Sequence, residues 1–364
     1  LKYSMTDSIN IDTRKNKIPL ISLGTWKSPL GKTGAAVRVA LECGYRGFDC
    51  ANDYGNEAEI GDALKKAFED GIVKREELFI QCKLWNTNHR PEHVKPDLQA
   101  TLNDLKLDYV DSFVIHWPQA CPSNKQLSLN KDGPRAGPAS EGTMFPLQEN
   151  GLYCSDNESH YVETYHEMEK LIDEGLCKSI GLSNFNSRQV REILDNVKKH
   201  KPTVLQNESH PYLASKDLRD LCRINNIVFQ AYSPLGSFDR PWAKSGSLTS
   251  GPPPTGTELL DDGCLSTIAK RLKKSTAQVV LRWHVQMGGT VAVKSVTPAR
   301  IQSNIDVFNF ELSENDMNEI ANLNIGWRHL LWAETSLHPD YPFKDDLPHD
   351  YVVSPAPSNT GKSG

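Results

Sequence analysis

The chain has 364 residues, with 41 Lys and Arg against 46 Asp and Glu, and a formal net charge of −5. This balance and the lack of a basic run argue against a nucleic-acid partner, and no apolar run is long enough to span a membrane. The eight cysteines are scattered, with no C-x-x-C and no compact framework. Several sit in apolar segments as buried free thiols do, so a cytoplasmic, reducing compartment is expected. Residues 1–17 are polar and lack the apolar core of a signal peptide.

Residues 9–11 and 18–20 flank a polar turn and predict a small hairpin over 9–19. Residues 20–23 form an apolar strand that runs into Gly24-Thr25-Trp26, and 37–43 are helical in pattern. A second strand ends at Asp49. After it Ile60, Leu64, Ala67 and Phe68 recur at helical spacing. Strand 78–84, helix 94–105 and strand 109–117 follow. A long stretch over 118–159 is rich in Gly, Pro, Ser and Asn and reads as a surface excursion. Alternation then resumes with helix 161–173, strand 178–182, helix 187–197, strand 203–206, helix 215–223 and strand 227–232. A second excursion covers 233–263. Helical patterns over 265–271 and 276–285, a strand at 290–293 and a last helix over 297–305 complete the series.

Eight strand–helix units, with strands too apolar to face water on either side, read as buried parallel strands. Eight such repeats predict an α/β chain folded as a closed (β/α)8 TIM barrel rather than a doubly wound sheet. Two stacked open domains would need a central linker, and both excursions fall between a strand and its following helix. The expectation is one domain over 1–364: an N-terminal hairpin, two long βα loops (118–159 and 233–263), a C-terminal loop over the barrel mouth (326–343) and a flexible tail (344–364).

Function in such a barrel collects at the C-terminal ends of the strands. Those ends carry Trp26, Asp49 with Tyr54, Lys83, His116 with Trp117, Ser183-Asn184, Gln206, Tyr232-Ser233 and Lys294-Ser295. Each alone has an ordinary structural explanation: a helix cap, a snorkelling lysine, a satisfied histidine, a core tryptophan. Their joint occurrence on one rim does not. A tyrosine hydroxyl holds its proton at neutral pH. A neighbouring Lys83 ammonium is expected to lower the Tyr54 pKa, Asp49 to hold Lys83, and neutral His116 to hold a carbonyl oxygen. The set is then a general acid able to protonate an oxygen as charge develops on it. No serine or thiol lies beside this histidine to support acyl transfer, and no H-E-x-x-H or carboxylate cluster suggests a metal.

These segments resemble the aldo-keto reductases, and within them the aldose and aldehyde reductase branch. The resemblance is carried by Phe48-Asp49 through Tyr54-Gly55-Asn56-Glu57, Lys83-Leu84-Trp85, His116-Trp117-Pro118, Gly181-Leu182-Ser183-Asn184-Phe185, Tyr232-Ser233-Pro234-Leu235-Gly236, and the run from Lys294-Ser295 to Arg300, in order from about Pro19 to Phe343. It implies hydride transfer from NADPH, with Tyr54 as proton donor, His116 orienting the carbonyl, and Lys83 and Asp49 tuning Tyr54. It also implies that Tyr232 stacks on the nicotinamide and that Ser183, Asn184 and Gln206 bind its carboxamide. Lys294, Ser295, Thr297 and Arg300 would hold the 2′-phosphate. Gly24, Thr25, Trp26, Asp49, Ser233, Leu235, Ser237, Asp239, Val296 and Asn304 would complete the NADPH/NADP+ contacts. A cation pair near a helix start agrees physically with a dianion site. No G-x-G-x-x-G appears, so a Rossmann turn is not supported.

The chain departs from the family pattern in both long loops, in Ser303 where relatives carry an acid before Asn304, and in Leu330 where aldose reductase has a cysteine. Trp26, Trp117, Trp242, Trp327 and Trp332, with Tyr54 and His116, are expected to line a largely aromatic pocket suited to apolar carbonyl compounds. The resemblance makes a monomer acting on a small-molecule carbonyl the default. The competing reading is a barrel of the same family kept for binding or structure.

Overall fold

The predicted strands close into a ring. The computed structural model describes residues 4, 7–10, 17–122, 144–237 and 256–353. A short antiparallel pair, β1 (Ser8–Asn10) and β2 (Lys17–Pro19), sets Ile9 opposite Ile18. The barrel strands are β3 (Ile21–Gly24), β4 (Gly47–Asp49), β5 (Phe79–Leu84), β6 (Ser112–Ile115), β7 (Ile180–Ser183), β8 (Val204–Glu208), β9 (Val228–Tyr232) and β10 (Thr290–Lys294). They pair in parallel in sequence order, and β10 closes on β3 with Lys294 opposite Gly24. This is a (β/α)8 TIM barrel with an added N-terminal hairpin, as expected.

The described α-helices are α1 (Thr33–Glu42), α2 (Glu57–Glu69), α3 (Pro91–Leu105), α4 (Tyr161–Asp173), α5 (Ser187–Asn196), α6 (Lys216–Ile224), α7 (Gly263–Leu272), α8 (Thr276–Gln286), α9 (Pro298–Ile305) and α10 (Glu314–Ala321). Local chemistry fixes several starts. Asn186 with Gln189 and Ser275 with Gln278 form reciprocal capping boxes at α5 and α8. Prolines open α3 and α9, where no intrahelical N–H is needed. Gly61 lets α2 reach α3, because a Cβ there would lie 2.2 Å from the Asp104 carbonyl oxygen.

Apolar faces of the helices meet the outer strand residues in one large cluster that includes Leu64, Leu98, Tyr165 and Ile193. A smaller cluster of Ile18, Phe79, Val204 and Val228 lies at the N-terminal ends of the strands, so the hairpin plugs that end of the barrel. Function is left to the opposite rim. None of the described helices is long and apolar enough to cross a membrane.

Three expectations are corrected or refined. Helix α9 is not the last, since α10 follows it. Its apolar face is short, but Ser313 and Asp316 form a capping box and Ile320 is fully buried against Leu265 and Trp283. The stretch over 118–159 is not purely a surface excursion: its described parts bury Ala120, Cys121 and Met144, and Phe145 packs on Trp85. Residues 344–353 are not a free tail either. Leu347 and Tyr351 pack on the aromatic cluster of the C-terminal loop, and Asp346 pairs with Arg328 at 2.6 Å. Residues 354–364 lie outside the described residues.

Candidate active site

Strands β4, β5 and β6 deliver Asp49, Lys83 and His116 to neighbouring points of the rim, and a short helical turn after β4, Asn52–Tyr54, returns Tyr54 over them. Lys83 is fully buried, Asp49 nearly so. The Lys83 ammonium donates to Asp49 Oδ1 at 2.7 Å, to the Cys50 carbonyl at 3.0 Å and to Tyr54 Oη at 3.1 Å. Asp49 Oδ1 also accepts from Gln206 Nε2 at 2.8 Å and Gln81 Nε2 at 3.1 Å. The Tyr54 and His116 rings meet edge to face, 5.9 Å between centroids. The four residues named from sequence therefore form one contiguous group.

The direction of the Tyr54 pKa corrects the sequence expectation. Burial first, then the charges of Asp49 and Asp53, push it well above the usual phenol value. These effects outweigh the Lys83 ammonium, so the phenol holds its proton firmly. Asp53 was missed by sequence reasoning although it lies within the stretch that carries Asp49 and Tyr54. Its Oδ1 faces His116 Nδ1 at 3.3 Å. Neither atom makes an aligned hydrogen bond among the described residues. The pocket thus has a carboxylate beside the histidine.

Around this group lie the residues expected to hold a dinucleotide. The Tyr232 hydroxyl donates to Asn184 Oδ1 at 2.6 Å, and Asn184 Nδ2 donates to the His116 carbonyl at 2.9 Å. Gln206 points into the barrel, toward Asp49 and Gln230. Capture of a carboxamide by Asn184 and Gln206 would exchange these internal bonds. Ser183 is fully buried beside Asn184. Thr25 is tied through its hydroxyl to the Asp49 carbonyl at 2.8 Å, next to Gly24 and Trp26. Trp26 stands 6.4 Å from the Tyr54 ring.

Ser233 accepts from the Ser237 hydroxyl at 2.7 Å, and Leu235 packs between two apolar clusters. At the next rim position Lys294, Ser295 and Val296 lead from β10 into α9. Ser295 Oγ accepts the Thr297 N–H at 3.1 Å, Arg300 is exposed, and Asn304 is buried. A lysine, an arginine and hydroxyls at a helix start are the donor types a phosphate dianion requires. Ser303 adds no carboxylate there. Asn184, Ser233, Ser237 and Trp332 are four of the nine non-glycine residues with positive φ among the described residues. Such strain concentrates at working sites. Asp239 and Trp242 lie outside the described residues.

Aromatic rings gather on this rim, in a set that differs from the expected one. Trp332 stacks on Trp85 with centroids 5.7 Å apart and meets Trp117 edge on at 5.3 Å. Trp85 in turn packs on His116 at 5.1 Å, which joins the aromatic wall to the polar group. Phe145 and Tyr153, from the long stretch before α4, add edges to Trp332 at 5.9 and 5.6 Å. Trp327 sits elsewhere, packed on His329 and the cluster around Tyr212. Trp85 carried a signal, since it follows Lys83-Leu84 directly. Phe145 and Tyr153 lie in an aperiodic stretch and carried none.

The model of the aldo/keto reductase family matches residues 20–325 of the chain. Aldo-keto reductase family 1 member A1 of Gallus gallus is 44% identical over 339 residues, covering 90% of this chain and 95% of the relative. The Homo sapiens protein of that name is 43% identical over 339 residues, with 90% and 96% covered. The solved structure of the aldose reductase from Schistosoma japonicum is similar at a TM-score of 0.80 and 40% identity, covering 94% of this chain and 100% of that one.

Proposed function

The chain belongs to the aldo/keto reductase family and is an NAD(P)H-dependent oxidoreductase of carbonyl compounds, and we propose that it uses NADPH to reduce apolar aldehydes and ketones, with Tyr54 as the proton donor. The observation that carries this reading is the bonding of one buried ammonium, Lys83, to both Asp49 and the Tyr54 hydroxyl. When bound, NADPH would supply the hydride that reduces the carbonyl carbon. The chain supplies the rest. His116 orients the carbonyl oxygen toward Tyr54, whose proton completes the alcohol. The phenolate left behind is stabilised by Lys83, which Asp49 holds in place. A phenol whose proton is firmly held at rest donates it only when charge develops on the oxygen in front of it.

Ser183, Asn184, Gln206 and Tyr232 are the residues we assign to the nicotinamide. Lys294, Ser295, Thr297 and Arg300 are those for the 2′-phosphate, and Gly24, Thr25, Trp26, Ser233, Leu235, Ser237, Val296 and Asn304 line the remaining course. The donor chemistry at the start of α9 supports NADPH over NADH. All eight cysteines are free thiols, which supports a reducing compartment such as the cytoplasm. One chain carries every residue of the proposed site, consistent with action as a monomer.

The Trp85, Trp117 and Trp332 walls support an apolar substrate. Asp53 offers one acceptor, but an open-chain sugar has several hydroxyls, and each left without a partner costs roughly 1–3 kcal/mol. We expect kcat/KM for benzaldehyde to exceed that for glucose, corrected for its open-chain fraction, by at least about a hundredfold, equivalent to roughly 2.7 kcal/mol. Steady-state NADPH consumption measures both. Rates within about threefold of each other would overturn the substrate assignment, and no turnover of either would favour a binding or structural barrel.

A further inference from the structure

Strand β8 ends in Glu208, whose side chain is fully buried. Its two oxygens reach out of the barrel to the C-terminal loop. Oε1 accepts the backbone N–H of His329 at 2.6 Å, and Oε2 accepts that of Leu330 at 2.7 Å. His210 Nε2 lies 3.0 Å from Oε1. The His329 ring packs edge on against His210 at 4.7 Å and against Trp327 at 3.9 Å. Across from it comes Gly236, where a Cβ would stand 3.6 Å from His329 Nε2. Two residues beyond Leu330, Trp332 takes a left-handed backbone conformation (φ 45°) and turns its ring onto Trp85 and Trp117.

Ligating atoms of Glu208, His210 and His329 lie within 4.8 Å of one another, a grouping that resembles a metal set. Both carboxylate oxygens are already engaged by backbone N–H groups, and this makes the group a hydrogen-bonded anchor instead. A carboxylate that accepts bonds from two successive N–H groups fixes the path of the loop at that point, since the charge-assisted bonds are short and directional. The ring that closes the pocket follows within the next two residues.

We propose that Glu208 is a positioning residue for substrate selection: it anchors the C-terminal loop at His329 and Leu330 so that Trp332 stands against Trp85 and Trp117. This rests on the reading of that pocket as the carbonyl site. Glu208 touches no substrate in this account and acts through Trp332.

The test is a double-mutant cycle with Glu208→Gln, Trp332→Ala and the pair, read with benzaldehyde and with propanal, which offers Trp332 little surface. Glu208→Gln is expected to raise KM for benzaldehyde at least about tenfold while kcat for propanal stays within about threefold. On the Trp332→Ala background the same change is expected to add less than about threefold. Hydrogen exchange at 328–332 is expected to accelerate in Glu208→Gln. Additive effects in the cycle, or unchanged exchange at 328–332, would overturn the proposal. Should Glu208→Gln fail to fold, Leu330→Pro removes one N–H donor from the loop side and is read the same way. The exchange measurement needs no turnover, so a wild-type protein inactive on both aldehydes would sink the reductase reading and leave the anchor to be judged by exchange alone.

Discussion

Lys83 has three N–H donors, and all three are used inside the protein, on Asp49, the Cys50 carbonyl and Tyr54. Removing one partner of a buried ion pair typically costs about 3–5 kcal/mol, because the other charge is left uncompensated. A Lys83 variant therefore confounds stability with chemistry, and a Tyr54 variant does not. Lys294 and Arg300 test the cofactor assignment in isolation from both. Lys294→Met or Arg300→Met should weaken NADPH much more than NADH, each by roughly 1.5–3 kcal/mol for a lost charge-assisted contact. Fluorescence titration of the two cofactors measures this, and equal losses would move the phosphate site elsewhere. Which residues meet at this scale was legible because each stands at a strand tip. What they do to one another was less so. The upward push on Tyr54 comes first from burial and then from the charges of Asp49 and Asp53, and Gln206 turns inward to Asp49. Neither the burial of the phenol nor the inward turn of Gln206 follows from spacing along the chain.

The C-terminal loop is the element proposed to make the reductase rim selective, and its attachment to β8 has a pH signature. Burial alone would raise the Glu208 pKa. The bond from His210 and the charges of His329, His210 and Arg328 override it and bring the carboxyl down to about 2 from 4.5. A depressed carboxylate contributes stability that is present above pH 4.5 and lost as pH falls toward 2. The shift corresponds to roughly 3 kcal/mol. Wild type should therefore lose its stability advantage over Glu208→Gln across that window, as read by urea midpoints at pH 7 and pH 3. A gap that does not change with pH would show that the carboxylate charge is not what holds the loop. Sequence reasoning placed this loop over the mouth but not its anchor, since Glu208 and His329 lie far apart in sequence and no periodicity links them. The same limit hid α10, whose start is written in Ser313 and Asp316 rather than in an apolar stripe. It also hid Phe145 and Tyr153, in a stretch where only tertiary contact decides which residues are buried.

At the scale of the molecule the barrel was legible because buried parallel strands must be apolar on both faces, and the strand–helix alternation sets their order. Closure of β10 on β3 and the hairpin plug of Ile18 leave one end for chemistry. The proposed catalytic groups then sit on that end, Asp49 and Lys83 on strands, His116 directly after β6 and Tyr54 on the turn Asn52–Tyr54, and loss of the Tyr54 hydroxyl alone should alter rate without altering fold. Tyr54→Phe deletes only the hydroxyl that Lys83 and the carbonyl are proposed to share. The decisive measurement is the single-turnover rate of NADPH oxidation with saturating benzaldehyde, wild type against Tyr54→Phe, with NADPH affinity measured alongside. General acid catalysis is typically worth roughly 10²–10⁴-fold, so the variant should bind NADPH as wild type does and fall by at least a factor of about 100. A variant that keeps more than about a tenth of the wild-type rate would contradict Tyr54 as the proton donor.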